Sequence, residues 1–425
     1  MTRAASLHYD AVVIGAGTAG LVAGIRLAQN GARVCVVARG IGSTHLAPGT
    51  IDVLGYAPSR VDEPGRALEE LITRRPHHPY ARIGRHTVEA AVQWLSGVIA
   101  DGPLPGYRYV GDLARNHRLP TAVGALRPSA LVPETMIAGD ADGLSQACIF
   151  GTPALRDFYP GLCADNLRAA GIEARAVTMS VSLDRADANT LGIARRLDDP
   201  GWRARFCAEL SPVLRADEHV GLPAMLGLRD PHGVHADIEY RLGRRVFEIP
   251  SLPPSVPGMR MFEILTAALR GAGGRLVLGP TVVAAERDGR GIASISTNAA
   301  GHQAVYRADT FVLATGGFAS GGIELDSDWV THERVLGLPL DGVPGPDRPR
   351  FVPDYFSEQP MARVGVAVEA DLRARGTENV FVVGAALPGA IPWREGSGEG
   401  IAVSSGYRAA EVITAGTAAA AGAAL

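Results

Sequence analysis

The sequence predicts an α/β fold, and three observations carry that prediction. Two short apolar runs, residues 10–14 and 33–38, flank a stretch in which Leu21, Val22, Ile25 and Ala28 recur at helical spacing. Glycines at 15, 17 and 20 join the first run to that helix in a Gly-x-Gly-x-x-Gly pattern. Further strand-then-glycine pieces return late in the chain, at 310–317 and 379–384. Together these describe a Rossmann-type FAD/NAD(P)-binding fold with a large α/β insertion between its parts.

The first 40 residues form a complete βαβ unit, with Gly31 ending the helix. Gly15 permits the tight turn out of the strand, Gly17 lets the backbone approach a phosphate, and Gly20 lets the helix pack on the strand. Free N–H groups and the helix dipole at Ala19 and its neighbours then favour an anion. A nucleotide or flavin phosphate is expected here. One part of the fingerprint is missing. An Asp or Glu about 20 residues on would hold a ribose hydroxyl, yet the second strand ends Val37-Ala38-Arg39-Gly40 and the next acidic residue after Gly20 is Asp52. Three readings fit. The cofactor is FMN and has no adenosine ribose; Arg39 meets an extra phosphate; or FAD binds without the usual clamp.

Composition excludes several chemistries. Of 425 residues, 47% are hydrophobic and 20% charged, and the net charge is −3. That balance gives no long-range attraction to nucleic acid or an acidic membrane. All 41 basic residues are Arg, so a Schiff-base lysine and a Walker-type lysine are excluded. The four cysteines, Cys35, Cys148, Cys163 and Cys207, match no zinc or iron–sulfur spacing. Any iron–sulfur centre must lie on another chain, and no metal site is expected. No run is long and apolar enough to span a membrane, and no signal peptide is read, so a cytoplasmic location is expected.

Residues 1–56 are read as the first part of the nucleotide-binding domain, 57–250 as an inserted α/β domain, 251–415 as the remainder, and 416–425 as a flexible tail. After the second strand, residues 42–55 lie where a bound cofactor would extend, and His45 is placed to touch it or the substrate. Residues 146–181 read as strand, helix 153–170 and strand; 193–214 read as one helix; 221–249 read as strand, helix and strand. Arg127 lies in a glycine-containing loop, and Arg260 in the first turn of a helix that begins near Met259, where an anion can also meet the helix N-terminus. Strands are expected at 304–306 and 310–314, the second ending in Thr315-Gly316-Gly317, which returns backbone to the nucleotide. Strand 379–384 ends at Gly384. The glycine-rich start at Gly398 and Gly400, and the helix after it, would offer N–H groups to the electron-rich end of a flavin ring.

These pieces resemble a family. The order of motifs is that of the two-dinucleotide-binding-domain flavoproteins. More specifically, His45-x-x-x-Gly49-Thr50-Ile51-Asp52-Val53-Leu54, His78-Pro79-Tyr80, Thr121-x-x-Gly124-x-x-Arg127, Leu252-Pro-Pro-Ser255-Val256-x-Gly258-x-Arg260, Leu336-Gly337-Leu338 and Asn379-Val380-Phe381-x-x-Gly384 resemble the B subunits of anaerobic glycerol-3-phosphate dehydrogenases. In that family too the second strand ends in Arg-Gly, as at Arg39-Gly40. The family's C-terminal glycine-rich stretch carries a cysteine; residues 393–400 here have none.

The resemblance implies an FMN protein, with FAD as the alternative. It implies a catalytic, FAD-containing A subunit and an iron–sulfur C subunit that docks at the inner face of the cell membrane. Together they would oxidise sn-glycerol 3-phosphate to dihydroxyacetone phosphate and pass electrons toward menaquinone, with fumarate or nitrate as final acceptor. If substrate is oxidised on this chain, His45 is the candidate base, and Arg127 and Arg260 would hold the substrate phosphate. The cofactor-binding set is Gly15, Gly17, Ala19, Gly20, Arg39, Gly40, Gly49, Thr315, Gly316, Gly384, Gly398 and Gly400. Two rivals stand beside this reading: a self-contained FAD dehydrogenase of the fumarate reductase or ketosteroid dehydrogenase type, and a non-catalytic assembly protein with an empty Rossmann site.

Overall fold

The computed structural model describes residues 7–181, 189–299 and 302–423. In chain order, β1 (Leu7–Ile14), α1 (Thr18–Gln29) and β2 (Val34–Ala38) form the expected unit. α2 (Arg85–Ala100) follows. Then come β3 (Gln146–Gly151), α3 (Pro160–Ala169), β4 (Glu173–Thr178), α4 (Thr190–Leu197), α5 (Pro200–Leu210), β5 (His219–Pro223), α6 (Pro231–Leu242) and β6 (Val246–Ile249). The chain closes with α7 (Val256–Gly271), β7 (Arg275–Leu278), β8 (Thr281–Asp288), β9 (Gly291–Ala299), β10 (His302–Leu313), β11 (Val380–Val382) and α8 (Gly398–Ala423).

The main sheet has the order β7-β2-β1-β10-β9-β8, and β11 adds to β10. β7, β2, β1, β10 and β11 run parallel, while β9 pairs antiparallel with both β10 and β8. Every residue of β2 is buried, as a continuous apolar run covered on both faces must be. β10 unites the two strands expected at 304–306 and 310–314. Its first half pairs with β9, and Phe311–Leu313 pair with β11. The second sheet is fully parallel, in the order β6-β5-β3-β4.

Two main hydrophobic cores result among the described residues. The larger lies under the main sheet and takes in Leu68, Tyr80, Val88 and Leu95, so residues 64–100 pack with the nucleotide-binding sheet and not with the second one. The smaller core begins at Leu144 and ends at Ile249. α8 lies along α1 and is held there by Arg26 donating to Glu411 at 2.8 Å. All four cysteines are buried. Burial pushes the Cys35, Cys148 and Cys207 thiols up to about 11 and Cys163 to about 12.

Local chemistry moves several boundaries. The helix expected over 193–214 breaks into α4 and α5 because Pro200 occupies a first-turn position and Asp199 Oδ1 accepts from Trp202 N at 2.6 Å, starting a new helix. The helix expected from 153 starts at Pro160 for the same proline reason. The tail expected to be flexible from 416 is helical to Ala423 as part of α8; Ala424 and Leu425 lie outside the described residues.

Candidate functional site

The N-terminus of α1 is a cradle with room in front of it. Gly15 has φ +118°, and a Cβ there would stand 2.3 Å from the Ala314 carbonyl oxygen; one at Gly20 would stand 2.0 Å from the Gly15 oxygen. Only glycine allows this turn and this approach. A Cβ on Gly17, by contrast, meets nothing within 4 Å. The first intrahelical bond runs from Leu21 N to the Gly17 oxygen at 3.0 Å, and no side chain caps the helix. The preceding N–H groups are therefore left for another acceptor. Ala314 N donates to Ile14 O at 2.9 Å, which brings the Thr315–Gly317 turn alongside; the Thr315 hydroxyl is buried and lacks a hydrogen-bond partner. Gly384 packs on Ala19 from the other side. Arg39 and Gly40 are exposed at the end of β2, and Arg39 makes no ion pair among the described residues. Room, free donors and an orphan hydroxyl fit a flavin phosphate.

His45 sits in a short 3-10 turn, Thr44–Leu46, pinned to the start of α7. Ser255 does the pinning: its N donates to His45 O at 3.0 Å, its hydroxyl donates to Ala47 O at 2.6 Å, and its Oγ accepts from Gly258 N at 3.0 Å as the α7 cap. Gly49 packs on Pro257, and its carbonyl accepts from the Tyr109 hydroxyl. The half-buried His45 ring meets Phe262 edge-on at 5.2 Å. Desolvation lowers its pKa, so the imidazole is neutral, able to accept a proton, at neutral pH.

Beyond this loop, Asp52 and Arg127, residues of two separate sequence motifs, come together with Glu399, which none of the motifs includes. Asp52 is buried and accepts from Thr50 Oγ1 at 2.8 Å and Ser129 Oγ at 2.6 Å, and it forms an ion pair with Arg127. Arg127 is on a strand, Leu126–Ser129, and not in the loop before it; its side chain keeps 43% exposure. Glu399, in the first turn of α8, faces this pair and hydrogen-bonds the Thr18 side chain. Desolvation, with Asp52 adding to it, pushes the Glu399 carboxyl up to about 7. The signal available in the sequence is an acid in the first turn of a glycine-rich helix start.

Two assignments are corrected. Arg260 is fully buried and meets no open cleft. Its Nη1 donates to Glu248 Oε2 at 2.6 Å, Nη2 to Glu248 Oε1 at 3.0 Å, and Nε to Gly227 O at 3.0 Å. A guanidinium so occupied and fully buried is not placed to hold a substrate phosphate; it ties α7 to β6. Gly400 does not offer its N–H to a ligand, because that N–H donates to Asp52 O at 3.0 Å and a Cβ there would meet Tyr80 Oη at 2.4 Å. Gly398, at the very start of α8, is exposed. His78 is likewise structural: it is buried, its Nε2 is 3.1 Å from Glu395 Oε2, and its Nδ1 accepts from Tyr80 N.

Residues 10–401 match the family model described as FAD binding domain. The B subunit of the anaerobic glycerol-3-phosphate dehydrogenase of Pectobacterium carotovorum subsp. carotovorum (strain PC1) is 33% identical over 434 residues, 96% of this chain and 99% of that one. The chain belongs to the family of anaerobic glycerol-3-phosphate dehydrogenase B subunits. A probable B subunit of the same enzyme from Halobacterium salinarum (strain ATCC 29341 / DSM 671 / R1) is 32% identical over 428 residues, 95% of this chain and 97% of that one. Among solved structures, the 3-ketosteroid delta1-dehydrogenase of Sterolibacterium denitrificans is 13% identical with a TM-score of 0.47, covering 96% of this chain and 100% of that one. The family is one of flavin-binding oxidoreductases, and its members are named as one component of a larger enzyme. Among the described residues, no helix is long and apolar enough to cross a membrane.

Proposed function

We propose that this chain binds a flavin at the α1 cradle and serves as the B subunit of a glycerol 3-phosphate-oxidising complex, beside a catalytic A subunit and an iron–sulfur C subunit that brings it to the inner membrane face. The observation that carries the reading is 33% identity to a named B subunit over 96% of the chain. When bound, the flavin supplies two-electron chemistry with substrate and one-electron exchange with a redox partner. The chain's own residues hold and orient. Gly15, Gly17, Ala19 and Gly20 receive a phosphate at the α1 N-terminus, while Thr315, Gly316 and Gly384 close the opposite wall. Gly49 and Gly398 line the end toward the ring, and Arg39 with Gly40 meets the outer end of the cofactor. Where the substrate is oxidised on this chain and not on the A subunit, His45 accepts the proton of the substrate hydroxyl at its imidazole nitrogen, and the open half of Arg127 holds the substrate phosphate. Electrons then pass toward menaquinone, with fumarate or nitrate downstream.

FAD is the more direct form of the flavin, because the matched family is described by it. FMN, expected from the sequence, keeps one observation in its favour: β2 ends in Ala38-Arg39 with no acid for a ribose. Denaturing the purified chain and identifying the released cofactor by mass decides between them. Glycerol 3-phosphate oxidation by the chain with and without the A and C subunits then tests the substrate. A colourless chain, even when co-expressed with those subunits, or a complex inactive on that substrate, would overturn the proposal.

A further inference from the structure

The molecule carries one aromatic surface that its own fold does not use. Phe351, Trp329, Trp393, Phe356 and Tyr355 are 49%, 53%, 73%, 81% and 86% exposed. They are linked. The Trp329 and Phe351 rings lie 6.1 Å apart and those of Tyr355 and Phe356 5.5 Å apart. Gln359 stitches the intervening loop by accepting from Val352 N and donating to Asp354 O, and Arg394, next to Trp393, donates to Phe356 O. With about 200 Å² per aromatic side chain, these fractions expose on the order of 700 Å². Exposed aromatic area of that size on linked segments points to an interaction site and approaches the roughly 800 Å² per partner of a standard protein interface.

The patch is held open and not left loose. Trp329 has φ +64°, a backbone conformation that residues with side chains rarely adopt. Asp326 stabilises that turn: its Oδ1 accepts from Asp328 N and Val330 N at 2.9 Å each, and its Oδ2 lies 2.8 Å from His332 Nε2. Strain maintained by a dedicated carboxylate, at a ring pointed into solvent, indicates a preformed anchor. Beside the aromatics runs a groove of about 620 Å³ and mixed charge, lined by Arg60, Arg75, Arg363 and Arg394 and by Asp62 and Glu358 among others. Trp393 is five residues from Gly398, so the patch lies within roughly 17 Å of chain reach of the start of α8, the end at which the flavin ring is proposed to lie.

We propose that this surface is the docking face for another component of the same dehydrogenase complex, a separate redox protein with an apolar centre and carboxylates at its rim; this rests on the reading of the chain as one part of that complex. Charge selects a protein over a bilayer. The chain has no Lys, and Asp326, Asp328, Asp347, Asp354 and Glu358 are interleaved with Arg348, Arg350 and Arg394 on the same segments. Such acids repel an anionic membrane but pair with the mixed charges of a protein rim. Arg394 makes no ion pair among the described residues and is the donor for a partner carboxylate.

The test is co-purification. The tagged full chain is co-expressed with the A and C subunits of its own organism, and their retention is compared for the native chain, the triple variant Tyr355→Ser/Phe356→Ser/Trp393→Ser, and a control, Tyr159→Ser/Tyr240→Ser, whose equally exposed rings lie at the helices of the second sheet. Retention falls at least tenfold in the triple variant and is unchanged in the control, with flavin content and melting temperature preserved in both. Equal retention in the triple variant, or equal loss in the control, overturns the docking face while leaving the proposed function intact. No retention by the native chain overturns both. A native dimer dispersed by the triple variant in light scattering, or flotation of the native chain alone with phosphatidylcholine/phosphatidylglycerol vesicles that the variant loses, overturns the proposal in favour of a second copy or a membrane.

Discussion

At the residue scale, burial favours the neutral form of two side chains, His45 beside the α7 start and Glu399 in the first turn of α8. Desolvation makes the His45 imidazole easier to keep neutral and the Glu399 carboxyl harder to ionise. His45→Ala in the assembled complex lowers glycerol 3-phosphate turnover by about 10²-fold or more with flavin content unchanged; steady-state rates at saturating substrate check this, and unaltered turnover removes His45 from the role of base. For Glu399 the effect is on stability. Its folded pKa of about 7 lies above the ordinary 4.5, so the folded state binds more protons between those values and stability falls as pH rises through that window. Part of the side chain reaches solvent, which leaves a slope worth about 1–3 kcal/mol. The urea midpoint of the flavin-free chain is higher at pH 5 than at pH 8 on this account, and Glu399→Gln abolishes the difference.

At the element scale, the βαβ unit shows what a sequence discloses and what it hides. β1, α1 and β2 are legible because their signals are local: an apolar run, a helical period, and glycines whose spacing is fixed by backbone contact. Gly20→Ala puts a methyl group where only 2.0 Å separates the Cβ position from the Gly15 oxygen. It costs about 1–3 kcal/mol and empties the cradle, seen as loss of visible flavin absorbance per mole of chain. Unchanged absorbance would show that the phosphate sits elsewhere. Arg260 misleads for the converse reason. Its position in the first turn of a helix is a local fact, but its partner Glu248 lies on a strand of the other sheet, and no periodicity in the chain reports that pairing. Gly400 fails in the same way: its glycine accommodates Tyr80 and Val53, residues far earlier in the chain. Glu399 and Asp52 become a pair only once α8 is laid beside the 44–55 loop.

At the scale of the whole molecule, the Arg260–Glu248 pair fastens the second sheet to the helix that carries the His45 turn. Arg260→Leu leaves Glu248 buried without its cation and destabilises the chain by about 3–5 kcal/mol, measured by urea unfolding; Arg260→Met with Glu248→Leu recovers most of that. A single variant as stable as the native chain would show that the seam does not depend on this pair. The four thiols have a different consequence. Each is sealed in a core and held at about 11 or 12, and the chain has no lysine amine. The folded surface is therefore nearly silent to maleimides and succinimidyl esters. One cysteine placed at Tyr240, 87% exposed and away from the aromatic patch, would take a spin label or dye without background, making this protein a ready ruler for distances to whatever docks upon it.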